Sequence, residues 1–310
     1  MPTLLLSHSA CLNHQPPQGH PERPDRLRAI EQVLKDEKFN ALVREDAPLA
    51  PLEAVTSCHP LDYAHAIQEA SPEQGLIRLD ADTSMSPGTL EAALRCVGGA
   101  LKAVDDVMAN KASNAFVATR PPGHHAETAR PMGFCLFNNA AIAARHAQKQ
   151  HGVDRVAIID FDVHHGNGSQ EIFWADKTVM YCSTHQMPLY PGTGARSERG
   201  DHNTVVNAPL AAGDGGEPFR EAFETVILPR LRDFKPGLVI ISAGFDAHVR
   251  DPLANLNLVE ADFAWVTQQL MDVADQYCDG RVVSLLEGGY DLQGLSQSVA
   301  AHVTELMKAN

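Results

Sequence analysis

The sequence predicts an α/β protein with a single domain over residues 1–310, built on a doubly wound, mostly parallel sheet flanked by helices. Short apolar runs alternate with longer amphipathic segments, which is the pattern of successive βα units. No Ser/Gly-rich linker, low-complexity tract or internal repeat interrupts the chain, so one domain is the simpler interpretation. Hydrophobic residues make up 44% of the sequence, which is enough for a large core.

The apolar runs predict six strands, and the amphipathic segments predict six helices. Two helices have start signals. Ser86 before Pro87 is typical of an N-cap followed by proline, and Asn257 with Glu260 resembles a capping box. The expected strands span residues 3–7, 115–119, 156–160, 179–183, 238–242 and 282–286. The expected helices span residues 24–38, 87–108, 140–150, 218–233, 259–277 and 292–307.

The charge balance and the cysteines narrow the class of protein. Thirty-nine acidic residues against 25 basic ones give a net charge of −14, which repels phosphate backbones, so no nucleic-acid partner is expected. The six cysteines are scattered without a C-x-x-C pair, which favours a reducing, cytoplasmic location. The N-terminal segment lacks the basic start of a signal peptide, and no stretch approaches the ~20 apolar residues of a membrane span, so no membrane partner is expected.

Chemically reactive side chains follow five of the apolar runs. The segments are RPPGHHAE (120–127), DFDVHHGNG (160–168), CSTHQ (182–186), AGFDAH (243–248) and EGGYD (287–291). In an open parallel sheet, ligands bind outside the carboxyl ends of the strands, where all five segments would meet. The sequence therefore predicts one shared site of acids, imidazoles and a phenol at that edge.

Asp162 and His164 are candidate metal ligands. Residues i and i+2 of an extended segment point to the same side, so both could face one ion. Asp246 is the best-placed third ligand from another strand end. Three protein ligands with an open fourth position are typical of catalytic zinc, and the nitrogen and oxygen donors also suit Fe(II) or Mn(II). In the simpler alternative, Asp162 caps a turn and His164 is a hydrogen-bonded loop histidine.

His124, His125 and Tyr290 are candidate catalytic groups. Amide hydrolysis needs a base that takes a proton from water and an acid that returns it to the leaving amine, and a histidine suits both roles near neutral pH. A tyrosine hydroxyl can donate to the negative charge that develops on the carbonyl oxygen, and the glycines before Tyr290 give its backbone room. Surface histidines and a surface turn tyrosine are the alternative interpretation.

Six motifs together resemble one family. They are RPPGHHAE (120–127), GFCLFNN (133–139), DFDVHHGNG (160–168), PGTG (191–194), SAGFDAH (242–248) and LEGGY (286–290). From PERPDRL, beginning at Pro21, to the C-terminus, the chain resembles histone deacetylases of the arginase/deacetylase fold, in particular the class II branch and its bacterial relatives.

This resemblance implies a role for each matched residue. The implied metal ligands are Asp162, His164 and Asp246, with His125 as general base and acid, His124 tuning the charge and Tyr290 polarising the acyl carbonyl. Asp160 would orient His124. The resemblance also implies a structural monovalent cation, potassium, held by Asp160, Asp162, His164, Ser183 and Thr184.

Asn167 places the chain within the family pattern. Many class I members carry an aspartate here, behind the second histidine, whereas asparagine is usual in class II. An asparagine supplies no negative charge, so His125 should be less basic than beside a carboxylate.

The resemblance also implies a narrow substrate tunnel. Gly133, Phe134 and Tyr190 resemble its walls, although ordinary core packing would also explain the aromatic residues. Leu253 stands where the vertebrate polyamine deacetylase has an acid, and a leucine suits the methylenes of an acyl-lysine. The acceptor for the substrate amide N–H is left open among Asp80, Asp82 and Ser84.

The sequence thus predicts a zinc-dependent amidohydrolase that removes an acyl group from lysine side chains or small amines. Acetyl is the expected acyl group. An acetylpolyamine amidohydrolase is the alternative, favoured by the acidic net charge and opposed by Leu253. A ureohydrolase with two manganese ions would need more ligands than GFDAHVRD offers. A non-catalytic acyl-lysine binding module would require a missing catalytic part. The acyl length and a homo-oligomeric assembly are left open.

Overall fold

The computed structural model describes residues 1–308, and its centre is an eight-stranded parallel sheet. The order across this sheet is β2-β1-β5-β10-β9-β6-β7-β8, while β3 and β4 form a separate antiparallel pair. The strands are β1 (Thr3–Ser7), β2 (Val43–Asp46), β3 (Ile77–Arg78), β4 (Ser84–Met85), β5 (Asn114–Val117), β6 (Val156–Asp160), β7 (Val179–Gln186), β8 (Val205–Leu210), β9 (Leu238–Ala243) and β10 (Val282–Leu286). The predicted fold class is confirmed.

The helices lie on both faces of the sheet. They are α1 (Asp25–Val33), α2 (Leu61–Glu69), α3 (Thr89–Met108), α4 (Asn139–His151), α5 (Asn167–Ile172), α6 (Gly216–Ala222), α7 (Leu228–Phe234), α8 (Glu260–Tyr277) and α9 (Leu292–Leu306). A π-helical turn, Phe223–Ile227, joins α6 to α7. Within residues 1–308, no helix is both long and apolar enough to cross a membrane.

Both faces of the sheet are buried in hydrophobic cores. In β9, Val239 and Ile241 belong to the core shared with α8 and α9, whereas Leu238 and Ile240 belong to the core shared with α3 and α4. This follows from the two-residue period of a strand. Burial on both faces explains why the central strands are continuous apolar runs rather than alternating ones.

The five strands that precede the reactive segments are neighbours in the sheet. Their order is β5-β10-β9-β6-β7, and every pairing among them is parallel. Their carboxyl ends therefore meet along one continuous edge. This arrangement gathers segments that lie up to about 170 residues apart in the sequence.

The two predicted helix starts were each wrong by two residues. The N-cap of α3 is Gly88, with φ of 87°, rather than Ser86. The hydroxyl of Ser86 instead accepts the backbone N–H of Gln15 at 2.8 Å. The N-cap of α8 is Val259, whose N–H donates to Asp262 Oδ2 at 3.0 Å, so the reciprocal contact involves Asp262 rather than Glu260.

Candidate active site

Asp162, His164 and Asp246 converge at the ends of β6 and β9. Nδ1 of His164 lies 3.2 Å from Asp162 Oδ1 and 3.1 Å from Asp246 Oδ2. One ligand atom from each residue lies within 4.8 Å of the others, and all three residues are buried. The structure thus brings together the three predicted metal ligands, on one edge of the sheet.

The backbone orients both carboxylates. The N–H of Gly288 donates to Asp162 Oδ2 at 2.8 Å, and the N–H of Val163 donates to Asp246 Oδ1 at 2.9 Å. A Cβ at Gly288 would overlap both carboxylates. Glycine is therefore required for this close approach of the backbone.

The charge of the three groups favours a bound cation. Two buried carboxylates are costly unless a positive charge pairs with them. Burial lowers the pKa of His164, but Asp162 and Asp246 outweigh it and raise that pKa to about 10. A divalent ion can supply the same positive charge, and nitrogen with carboxylate oxygen is a donor set that zinc accepts. The three residues fit a divalent metal.

The two neighbouring histidines have different partners. Nδ1 of His124 lies 2.9 Å from Asp160 Oδ2, and Nδ1 of His125 lies 2.8 Å from Asn167 Oδ1. Burial opposes the charge on His124, but Asp160, Asp162 and Glu287 outweigh it and hold its pKa well above the usual range. Burial, followed by the adjacent His124, lowers the pKa of His125 well below its usual range.

Tyr181 is a contact of Asp160 that the sequence analysis did not identify. Its hydroxyl donates to Asp160 Oδ2 at 3.0 Å and accepts the N–H of Gly166 at 2.9 Å. Tyr181 lies in the middle of β7, where an aromatic side chain suggests only packing. Its polar role depends on the pairing of β6 with β7, which the chain order alone does not provide.

Two of the predicted monovalent-cation residues, Ser183 and Thr184, lie in β7. Ser183 pairs with Asp160 across the strands and shares its face, and Ser183 Oγ lies 2.8 Å from His185 Nδ1. Thr184 points to the opposite face, because successive strand residues alternate. Its buried hydroxyl has no hydrogen-bond partner among residues 1–308. The two hydroxyls therefore face opposite sides of the sheet, and the expectation that Ser183 and Thr184 both offer oxygens to one monovalent cation stays a prediction.

A cavity of about 220 Å³ reaches the metal-ligand candidates at His164. All four predicted tunnel residues line it, and His125, His164 and Tyr290 contribute to its lining as well. The Tyr190 ring lies 5.2 Å from the His125 ring, and the Phe134 ring lies 5.9 Å from the Tyr290 ring, between centroids. The complete lining is Asp82, His125, Gly133, Phe134, His164, Leu189, Tyr190, Leu253 and Tyr290.

Asp82 is the one of the three candidate acceptors that lines the cavity. Asp80 instead lies 3.4 Å from Arg130, and Ser84 lies in β4. Asp82 Oδ1 accepts the N–H of Gly133 at 3.1 Å, which ties the loop before α3 to the cavity wall. Gly133 has φ of 57°, and a Cβ there would overlap the His125 ring, so the wall requires glycine at this position.

Tyr290 is held by contacts from two other parts of the chain. Its N–H donates to Asp251 Oδ2 at 2.7 Å, and the guanidinium of Arg26 lies over its ring at 4.9 Å. Burial raises the pKa of Tyr290 well above its usual range. The phenol is therefore a neutral donor at physiological pH.

Behind Tyr290 lies a buried ion cluster that the sequence analysis did not identify. Arg120 Nε lies 2.6 Å from Glu22 Oε1, and Arg26 Nη1 lies 3.1 Å from the same oxygen. Arg26 Nε also donates to the carbonyl oxygen of Gly289 at 2.6 Å. The available signal was in PERPDRL, where Glu22 and Arg26 stand four residues apart, the spacing of neighbours on a helix.

Glu287 supports the histidine loop from beneath. Its Oε2 accepts the N–H of Gly123 at 2.7 Å and that of His124 at 3.2 Å, while Oε1 accepts the hydroxyl of Ser242 at 3.0 Å. Burial raises the pKa of Glu287 to about 7. This carboxyl group therefore connects the ends of β5, β9 and β10.

Comparison with known proteins agrees with this geometry. Residues 20–306 match the family model described as the histone deacetylase domain. An uncharacterised protein of Synechocystis sp. is 42% identical over 98% of this chain and 99% of its own length, and a probable deacetylase of Archaeoglobus fulgidus is 39% identical over 95% and 83%. The crystal structure of the HDA15 HD domain matches with a TM-score of 0.93 at 37% identity, covering 99% of this chain and 88% of that one. The chain therefore belongs to the histone deacetylase family and is a hydrolytic deacetylase, as the six motifs predicted.

Proposed function

We propose that the chain is a zinc-dependent amidohydrolase that removes acetyl groups from lysine side chains, with small acetylated amines as secondary substrates. The observation that carries this proposal is the 220 Å³ cavity, whose lining combines His125, His164 and Tyr290 with apolar side chains.

Asp162, His164 and Asp246 would hold the zinc ion, and the same donors would accept Fe(II). A zinc ion bound there supplies Lewis acidity, which polarises the amide carbonyl and lowers the pKa of water. The resemblance to the histone deacetylase family also supports a structural potassium ion. Its ligands would be Asp160, Asp162, His164, Ser183 and Thr184.

His125 is placed to take and return the proton. Asn167 Nδ2 donates to Glu127 Oε1 at 2.7 Å, which fixes the amide so that its Oδ1 faces His125. Since this oxygen only accepts, His125 Nδ1 carries the proton and Nε2 keeps a lone pair. Nε2 can accept a proton from water and pass it to the departing amine. The cationic His124 beside it stabilises the negative charge of the transition state.

The channel walls support an acyl-lysine as the substrate. Phe134, Leu189 and Leu253 offer apolar contact to the methylenes of a lysine side chain, and Asp82 offers a carboxylate oxygen to the amide N–H. The hydroxyl of Tyr290 donates to the acyl oxygen, where the charge develops.

The free cysteines support a cytoplasmic location as part of the proposal. All six are free thiols, and five of them are buried. This is the usage expected of a reducing compartment. Fractionation of cells that express the native protein tests this location, and recovery in a secreted or membrane fraction would contradict it.

The substrate class is tested by comparing kcat/KM for an acetyl-lysine peptide and for acetylputrescine. We expect the peptide to be preferred. A roughly hundredfold preference for acetylputrescine, nearly 3 kcal/mol in the transition state, would overturn the lysine assignment in favour of a polyamine enzyme.

A matched pair of variants sharpens this comparison. Leu253→Glu should move the preference towards acetylputrescine, because it adds a carboxylate to the channel wall for a cationic amine. Leu49→Glu is the control, since this leucine is 51% exposed and makes the same change of charge outside the channel.

A further inference from the structure

Two histidines and one aspartate converge at a second place, between α3 and α4. Nε2 of His146 and Nε2 of His151 each lie 2.7 Å from the same oxygen, Asp105 Oδ1. The side chains of the two histidines are 19% and 24% exposed and that of Asp105 is 49% exposed, so the cluster is partly open to solvent.

The two imidazoles share one carboxylate oxygen, which ordinary hydrogen bonding between these three side chains does not require. Two neutral imidazoles could each donate to a different carboxylate oxygen, yet both rings face Oδ1 with their Nε2 atoms. One donor atom from each residue lies within 4.8 Å of the other two. Two imidazole nitrogens and one carboxylate oxygen in this arrangement form a donor set for zinc, with a further position open to water.

The cluster is remote from the catalytic edge. Asp105 lies 16 residues into α3, so about 24 Å of helix separates it from the start of that helix, near the cavity. His151 ends α4, and β6 begins five residues later at Val156. Since β6 reaches the catalytic edge at its other end, with Asp160, the cluster lies at the opposite edge of the sheet.

We propose that Asp105, His146 and His151 form a second zinc site that clamps the end of α3 to the end of α4. This inference does not depend on the proposed function. The helix dipole would explain a single histidine at the end of α4. It does not explain why His146 and His151 converge on the same oxygen of Asp105.

The clamp would act on stability rather than on chemistry. α3 follows the loop that carries Asp82, and α4 follows the loop that carries Gly133 and Phe134. A zinc ion that joins the far ends of these two helices would stabilise the layer that supports both channel walls. It would leave the reacting groups unchanged.

Metal analysis of the full chain, equilibrated with buffered zinc and washed free of excess, tests the site. We expect two zinc ions per chain in the wild type and one in each of His146→Gln, His151→Gln and Asp105→Asn. Asp105→Asn keeps the size and a hydrogen-bonding oxygen while removing the charge. His202→Gln is the matched control, an exposed histidine away from the cluster, and should retain two.

A calorimetric readout separates this site from the catalytic one. In an Asp246→Asn background, zinc should still raise the melting temperature, and adding His151→Gln should abolish that rise. His151→Gln alone should keep wild-type turnover of an acetyl-lysine peptide. A single zinc per chain in the wild type that His151→Gln retains would overturn the proposal. So would a second zinc that survives all three substitutions, because that ion would then lie in a dinuclear catalytic centre.

Discussion

At the scale of single residues, two adjacent histidines have different partners and opposite pKa shifts. His124 faces the carboxylate of Asp160, and His125 faces the amide of Asn167. Burial is the largest influence on both imidazoles and lowers both pKa values. The carboxylates around His124 outweigh burial and raise its pKa, whereas the Asn167 amide carries no net charge and does not offset burial at His125. These opposite shifts favour a charged His124 beside a neutral His125, which is the pair that the proposed mechanism needs.

This difference predicts the effect of Asn167→Asp on the pH profile. A carboxylate at 2.8 Å from His125 Nδ1 should raise the pKa of His125, by roughly 1–3 units for a close opposite charge. His125 acts as a base only when neutral, so the acidic limb of the kcat/KM profile should move to higher pH. Asn40→Asp, at an exposed position, should leave the profile unchanged. A shift to lower pH would contradict the assignment of His125 as the base.

Tyr290→Phe should lower kcat by about 10²–10³-fold, which is the loss expected on removing one donor to the developing oxyanion. The phenyl ring retains its contacts with Phe134 and Arg26, so the folded structure should persist. Tyr277→Phe in α8 is the matched control and should retain full turnover. Retention of wild-type kcat by Tyr290→Phe would show that another group stabilises the acyl oxygen.

At the scale of elements, α1 supports the catalytic loop after β10. Arg26 donates to the carbonyl oxygens of Glu287 and Gly289, at 2.5 and 2.6 Å, and lies over the Tyr290 ring. These bonds join positions more than 260 residues apart in the sequence. The helix α1 therefore helps to position the phenol, although none of its residues lines the cavity.

Arg26→Lys should lower kcat more than it changes KM, because a lysine cannot bond both carbonyls and cover the ring at once. Leaving one buried carbonyl unpaired should also reduce the free energy of unfolding by about 1–3 kcal/mol. Urea denaturation and steady-state kinetics measure the two effects. Arg28→Lys, on the exposed side of the same helix, should change stability by less than about 0.5 kcal/mol. Equal losses in both variants would show that Arg26 has no specific positioning role.

The elements that the sequence predicted are those with a strong apolar pattern. All six predicted strands and six predicted helical regions correspond to elements of the structure. The strand β2 was missed because its four residues, VRED, are all exposed at the edge of the sheet and show no apolar run. The strand β8 was missed because Asn207 and Pro209 interrupt its sequence, which an edge strand tolerates.

The sequence predicted those parts of the candidate site that lie directly after the ends of parallel strands. The end of each parallel strand carries its own reactive segment, so the convergence of Asp162, His164 and Asp246 followed from the fold class. The selection of Asp82 over its neighbours depends on the path of a loop, and the contacts of Arg26 depend on how α1 packs. Neither feature leaves a periodic signal in the sequence.

At the scale of the whole molecule, the strand order explains how one site collects so many groups. The metal-ligand candidates come from β6 and β9, which are neighbours, while the phenol follows β10 and the histidine pair follows β5. Each group thus arrives from a strand adjacent to the previous one. A rigid parallel sheet that is buried on both faces fixes their separations.

The buried charges of this site predict that removal of the metal destabilises the entire fold. Asp162 and Asp246 are each 1% exposed, so without a divalent cation two buried carboxylates share one imidazole. An ion present at 1,000 times its dissociation constant stabilises the folded state by about 4.1 kcal/mol. At about 2–4 °C per kcal/mol, chelation should lower the melting temperature by roughly 10 °C and abolish turnover, and zinc should restore both.

Calorimetry of His151→Gln before and after chelation measures this effect without a contribution from the second proposed site. Asp246→Asn/His151→Gln is the control, because chelation should leave its melting temperature nearly unchanged once one catalytic ligand is lost. If metal analysis shows complete removal while the melting temperature and turnover of His151→Gln stay constant, then the three buried groups form a hydrogen-bonded cluster. In that case the hydrolytic centre works without a metal ion at Asp162, His164 and Asp246.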